Sequence, residues 1–222
     1  MIEQKTCLST DWLSSLYSDE ICIAVDKPPG RLSVPGRGGL AEGSVAQQVQ
    51  QQWPDALTVH RLDMATSGVL LFARGSTWQR HFSSQFEQRR IVKTYIAIVT
   101  GRLGNQVGDS GRIDLPLAAD WPNRPRQRVD NNNGKPSQTL WRVVAHDPLD
   151  CWTRVELEPL TGRSHQLRVH LLAIGHPIIG DALYGKLGQE SPAPRLMLHA
   201  RSLGFFHPLS GARVVIESPA RF

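Results

Sequence analysis

Five consecutive apolar residues, Val69-Leu70-Leu71-Phe72-Ala73, follow directly on the segment His60-Arg61-Leu62-Asp63-Met64-Ala65-Thr66-Ser67-Gly68. A short continuous apolar run bounded by small residues reads as a strand buried on both faces, so other elements must cover it from either side. The segment ahead of it fixes a carboxylate, Asp63, close to a guanidinium, Arg61, at the start of a rigid element, where scaffolds hold reactive groups. Asp63 is therefore the first candidate for chemistry. Taken alone, it serves equally well as a turn cap or as the partner of Arg61.

Around that core the pattern is mixed. Residues 21–25 predict a strand, stopped by Lys27-Pro28-Pro29-Gly30 and a loop through Gly39. Val45, Val49 and Trp53 behind Ser44 predict a short amphipathic helix ending before Pro54, and Trp78, Phe82 and Phe86 share one face of a second. Residues 92–99 predict a strand with Tyr95, Ala97 and Val99 pointing one way. Residues 101–136, rich in Gly, Pro and Asn, predict a long irregular excursion, and ordered loops of that length tend to be functional. Residues 139–144 and 152–157 suggest a hairpin. Thr161-Gly162-Arg163-Ser164 then opens a helix with Leu167 and Leu171 on one face, ended by Gly175 and Pro177. Residues 195–199, 202–206 and 213–216 supply further short strands. Without a regular βαβ alternation, the expectation is an α+β fold with a mixed, largely antiparallel central sheet flanked by helices and loops. A chain of 222 residues is short for two full domains, so residues 1–222 are read as one.

Charge narrows the partners. The net charge of +5 hides a lopsided split of 20 Arg against 5 Lys, and Arg is favoured where planar groups contact phosphate or stack on bases. Cys7, Cys22 and Cys151 are scattered without a C-x-x-C pair, which fits a reducing compartment. The N-terminus lacks a basic region followed by an apolar one, and no stretch approaches the ~18 apolar residues of a membrane span, so the expectation is a cytoplasmic protein with no membrane partner. Nucleotide-phosphate, dinucleotide and nucleophile-elbow motifs do not occur in the sequence, and acidic residues are too dispersed for a two-metal site.

A second constellation, Thr161 to His170, gathers two Arg, two His and a Gln at a helix start, a place suited to an anion. His165 and His170 are five apart and lack further ligands, so no metal is expected. Taken together, the segments resemble the RluA family of pseudouridine synthases. His60-Arg61-Leu62-Asp63 with Thr66-Ser67-Gly68 is similar to the family's signature around its aspartate, Lys93-Thr94-Tyr95 to its second motif, and Thr161-Gly162-Arg163 to His170 to its third. Asp26-Lys27-Pro28-Pro29-Gly30 and Arg195-Leu196-Met197-Leu198-His199-Ala200 also fit. The short leader implies that no separate S4-like RNA-binding domain stands in front of the catalytic domain. With the insert at Trp121 to Pro125, the likeness is greatest to the dual-specificity branch.

That resemblance implies a cleft across the sheet in which uridine is isomerised without a cofactor or metal. Asp63 would be the catalytic carboxylate, acting at the ribose or as the nucleophile, with Arg163 as its bidentate partner. Tyr95 would lie against the uracil face and assist removal of the C5 proton, and Leu198 would be the apolar contact opposite. Arg61 would fill the gap left by the flipped base. His60, Arg124, Arg126, Arg128, His165 and Arg168 are expected near RNA. The implied partners are a 23S ribosomal RNA hairpin and a tRNA anticodon stem-loop, bound by a monomer. Two rivals remain: a non-catalytic RNA-binding module, which has no use for a buried Asp and Tyr, and a glycosidase, which needs a second carboxylate.

Overall fold

The computed structural model describes residues 13–36, 43–149, 151–185 and 193–222, so Cys7 and the expected loop around Gly39 lie outside the described residues. In chain order the elements are β1 (Ser14–Ser18), β2 (Cys22–Lys27), α1 (Val45–Gln52), β3 (Ala56–Thr58), β4 (Ser67–Arg74), α2 (Gly75–Glu87), β5 (Val92–Thr100), β6 (Ser110–Asp114), β7 (Leu117–Ala119), a 3-10 turn (Trp121–Asn123), β8 (Gln127–Val129), β9 (Gln138–His146), β10 (Trp152–Pro159), α3 (Gln166–Ala173), β11 (Leu198–Phe206) and β12 (Arg213–Glu217). Among the described residues the main sheet runs β1-β2-β4-β11-β5-β10-β9-β6, with β3 on β4 and β12 on β11, while β7 and β8 pair apart from it.

The apolar run in β4 is buried on both faces because helices cover both. Val69, Leu71 and Ala73 join Cys22, Ala24 and Phe82 of α2 in one core cluster. Leu70 and Phe72 point the other way, into a cluster with Ile23, Val25 and Val45, Ala46 and Val49 of α1. Burying each of the large side chains contributes about 2 kcal/mol. Helix α1 starts where Ser44 predicts: the Gln47 amide donates to Ser44 Oγ, and Gln47 answers to the Ser44 amide in a capping box. A third cluster packs Leu167 and Leu171 of α3 onto Ala97, Val99, Val155 and Leu157 of β5 and β10. Tyr95 packs against both this cluster and that of α1, as expected from its shared face with Ala97 and Val99.

The two halves of the sheet meet at a seam. Strands β4 and β11 pair in parallel through only Ser67–His199 and Ala200–Gly68, whereas every other pair is antiparallel. Beyond Ala200, β12 takes the place of β4 beside β11. Gly68 sits at φ +111°, where a Cβ would stand 2.2 Å from the Ala200 carbonyl oxygen, so only glycine allows this approach. Ser67 Oγ and His199 Nδ1 hold the seam at 2.9 Å, with His199 Nε2 on the Ser218 carbonyl.

Three expectations change. The excursion at 101–136 is partly regular: Ile113 and Leu117 are buried on β6 and β7, and Pro116 between them only separates the two short strands. The strands expected at 195–199 and 202–206 are one strand, β11, which starts only at Leu198 and has a register shift between Ala200 and Ser202 where the sequence suggests a gap. Helix α3 begins at Gln166 rather than at Thr161, because the Gln166 side chain folds back to accept from the Arg163 amide at 3.0 Å and from Thr161 Oγ1 at 2.7 Å.

Candidate active site

Asp63 lies at the mouth of the seam, on the turn leading into β4, and that turn is pinned on both sides of it. Ser33 Oγ donates to the Leu62 carbonyl at 2.8 Å and accepts from the Leu62 amide at 3.0 Å. On the other side Lys27, fully buried at the end of β2, directs its ammonium to the carbonyls of Pro28, Met64 and Thr66 at 3.0, 2.9 and 2.7 Å. Burial pulls the Lys27 pKa down to about 7 despite the opposing pull of Asp63. Three carbonyls satisfied by one cation leave the turn no slack, so the carboxylate between them has a fixed origin. Its side chain is 22 % exposed, which leaves it open to the cleft.

The guanidinium that meets Asp63 belongs to Arg168, with Nη1 3.4 Å from Oδ2. Asp181 grips Arg168 through two bonds, Nε to Oδ2 at 2.7 Å and Nη2 to Oδ1 at 2.6 Å, so the remaining nitrogen is aimed rather than free. Burial opposes the charge on Arg168, but the hydrogen bond and charge of Asp181, then the charge of Asp63, outweigh it and raise its pKa. This corrects the expected role of Arg163, which stands on the turn before α3, exposed, with Nε 3.4 Å from the Pro136 carbonyl. The helix starts at Gln166, so position 168 falls on its inner face and position 163 does not. It also removes Arg168 from the RNA contacts, since its side chain is 5 % exposed and already held by two carboxylates.

A cleft of about 810 Å³ joins these groups, lined by Asp63, Tyr95, Leu198, His165 and Arg168 together with His60, Phe86, Lys93, Glu158 and Arg163. Tyr95 is half-buried on β5, opposite Ala200 of β11 and Leu157 of β10. Burial first, and the Asp63 charge second, push its phenol pKa well up, so the hydroxyl keeps its proton in the resting site. Leu198 is buried on β11 and lines the same cleft. Arg61 is exposed and also lines the cleft.

His60 has a structural task that the sequence reading did not assign. Its Nε2 accepts from the Leu71 amide at 2.9 Å and its ring stacks on Phe86. Burial lowers its pKa to about 3, helped by the charge of Lys93. Arg124, Arg126 and Arg128 are not among the cleft-lining residues; they stand on the β7–β8 arm, where Arg124 lies 4.0 Å over the Trp121 ring and Arg128 pairs with Asp130 at 3.0 Å. The sequence reading missed Lys27, Ser33 and Asp181. Lys27 gave a usable signal, since a lysine closing an apolar strand before Pro-Pro-Gly has few destinations other than the interior; Ser33 and Asp181 gave none beyond ordinary turn residues.

An aspartate set against a buried arginine thus shares one cleft with a tyrosine. Residues 21–173 match the model of the RNA pseudouridylate synthase family, and the chain belongs to that family. Among curated proteins it is 47% identical over 211 residues to the dual-specificity RNA pseudouridine synthase RluA of Escherichia coli strain K12, covering 95% of this chain and 94% of the relative. It is 49% identical to the protein of the same name from Yersinia pestis over 93% of this chain and 98% of the relative. Among solved structures it resembles human RNA pseudouridylate synthase domain containing 1, with a TM-score of 0.80 at 30% identity over 95% of this chain and 84% of that one. The protein is an RNA pseudouridine synthase: it isomerises uridine in RNA. Among the described residues no helix is long and apolar enough to cross a membrane.

Proposed function

We propose that this synthase acts on two RNAs, a 23S ribosomal RNA hairpin and the anticodon loop of tRNA, with the residues of the seam in defined roles. The reaction breaks the N1–C1′ bond of uridine, turns the freed uracil and joins C5 to C1′; the C5 proton leaves to solvent and N1 ends protonated. Asp63 initiates glycosidic cleavage. Arg168 directs it, since a guanidinium gripped by Asp181 reaches the carboxylate from one fixed side. Tyr95 holds the uracil face while the base turns, and its protonated hydroxyl stands near the C5 proton to be lost. Leu198 closes the apolar side of the slot.

Recognition falls to exposed cations. Arg61 stacks where the flipped nucleotide has left its neighbours, at a cost to the RNA of a few kcal/mol. Arg124, Arg126 and Arg128 on the arm contact phosphates and supply affinity without chemistry. The catalytic domain spans residues 1–222, works in the cytoplasm as a monomer and uses neither cofactor nor metal. The dual assignment is supported by relatives at 47% and 49% identity that carry dual specificity in their names. The observation that carries the residue roles is the Asp63–Arg168 contact in one cleft with Tyr95. Incubating the protein with each isolated stem-loop, followed by carbodiimide-blocked primer extension, tests this reading: both loops should be modified. Modification of one alone, or only within assembled ribosomal particles, contradicts dual specificity.

A further inference from the structure

His165 is the N-terminal cap of α3 and one of two described non-glycine residues with positive φ, at +54°. No side-chain hydrogen bond caps the helix there, so this strained backbone is not explained by capping. The conformation places the ring between two partners. Nε2 stands 3.9 Å from Asp63 Oδ2, and Nδ1 lies 2.7 Å from the Tyr184 hydroxyl, with the two rings edge to face. Tyr184 is buried, and its oxygen accepts from the Gln127 amide at 2.7 Å.

The chain of partners fixes a proton. An amide can only donate, so the Gln127 contact uses Tyr184 as acceptor and leaves the phenol proton to find an acceptor of its own. Nδ1 of His165 is the atom in reach, because a buried hydroxyl without an acceptor is costly. Nδ1 then carries no proton, and in the neutral ring the N–H is on Nε2. Resting on the assignment of this cleft to uridine isomerisation, we propose that His165 is a positioning residue for the reaction, held by Tyr184 as the tautomer whose Nε2–H faces the Asp63 carboxylate.

At 3.9 Å the resting contact is longer than a hydrogen bond, and a closure of ~1 Å with substrate in place makes it one. Arg168 and His165 then hold the carboxylate from two directions. The same link reaches the recognition arm: Gln127 lies on β8, and Leu117 and Val129 of the arm pack with Val169, Leu183 and Tyr184. Tyr184 also lies under Arg168, whose guanidinium carbon is 5.0 Å from its ring. Seating of the arm and orientation of the donor to Asp63 therefore share one side chain.

The groups facing His165 are Asp63, Arg168, Asp181, Arg61 and Tyr184; burial, first, and the two arginines lower its pKa, while the two aspartates raise it. The ring is thus neutral at neutral pH. Replacing the Tyr184 hydroxyl frees Nδ1 to take a proton, so the acidic limb of the rate profile should move to higher pH in Tyr184→Phe, which keeps the ring packing. Loss of packing alone would lower the rate equally at every pH.

The test combines nitrogen-15 spectra of the imidazoles with single-turnover tritium release from a 5-tritiated stem-loop. Expected are an Nε2–H tautomer for His165 in the unsubstituted enzyme and a tautomer mixture in Tyr184→Phe. His165→Ala should lose about tenfold in rate with RNA affinity within about twofold, and His165→Gln, which restores an N–H donor at the same reach, should regain most of it. An Nδ1–H tautomer, an unshifted Tyr184→Phe profile, or His165→Ala turning over at the unsubstituted rate overturns the inference while leaving the enzyme assignment intact. No tritium release by the unsubstituted enzyme overturns both.

Discussion

The turn that carries Asp63 and the β7–β8 arm both lie outside the main sheet, yet they are built in opposite ways. Around Asp63 the backbone is held by buried side chains: Lys27 donates to three carbonyls and Ser33 bonds two groups of Leu62. The arm exposes Trp121 at 67 % and keeps Arg124 and Arg128 in solvent, tied down mainly by Tyr184 and a small apolar cluster. Chemistry on a glycosidic bond needs a carboxylate placed to a fraction of an ångström. Recognition of two RNA loops needs long cations that adapt to either. On the proposed roles the contrast separates rate from affinity, and substitutions should respect it.

After Asp63 itself, the largest effect should come from the guanidinium behind the carboxylate. Arg168→Lys keeps a charge but not the fork that grips Asp181 while reaching Asp63, so single-turnover rates should fall about a hundredfold. Arg163→Ala should stay within about threefold. The opposite ranking would return the carboxylate's partner to Arg163 and break the account of the turn.

Next is Lys27→Met, which unties the turn carbonyls of Met64 and Thr66 from the end of β2 and leaves Met64 with only the Gly30 amide. Chemical denaturation should show a loss of about 3 kcal/mol, with turnover lost at temperatures where the chain remains folded. A variant of normal stability and rate would mean that the turn holds itself.

On the arm, replacing Arg124, Arg126 and Arg128 together by Ala should weaken RNA binding and flatten its dependence on salt, with turnover at saturating RNA close to normal. A fall in the saturated rate instead would show that the arm shapes the reacting geometry through more than Tyr184.

The smallest effect concerns pH. Because folded His60 is held at about 3 against an ordinary value of 6.5, the unfolded chain binds more protons between those values, so stability falls as pH drops through that window. His165, His170 and His199 are also lowered by burial and act in the same direction. Urea midpoints should decline from pH 6.5 downwards, and His60→Gln should make the decline shallower; a midpoint independent of pH would contradict a buried neutral His60.

Much of the fold was legible because periodicity reports burial. The apolar run of β4, the Ser44 cap and the shared face of Tyr95, Ala97 and Val99 each state their environment locally. The parallel seam was not legible: it depends on Gly68 meeting Ala200 across 132 positions, and local pattern carries no record of that approach. In the site, Asp63, Tyr95 and Leu198 came from their motifs and do line one cleft. The choice between Arg163 and Arg168 turned on where α3 begins, and the folding back of Gln166 moved that start by several residues. Lys27 and Tyr184 act through contacts with residues far along the chain, Met64 and Gln127, which spacing alone does not join.

The central claim is that Asp63, held by the pinned turn against Arg168, starts the isomerisation while the exposed cations supply binding. Asp63→Asn separates the two, since it removes the charge and keeps the shape. Tritium release from a 5-tritiated anticodon stem-loop, measured beside RNA affinity on the same preparation, should show no turnover by this variant with affinity within about twofold of the unsubstituted enzyme. Measurable turnover by Asp63→Asn, or an affinity that collapses with the charge, would contradict the account.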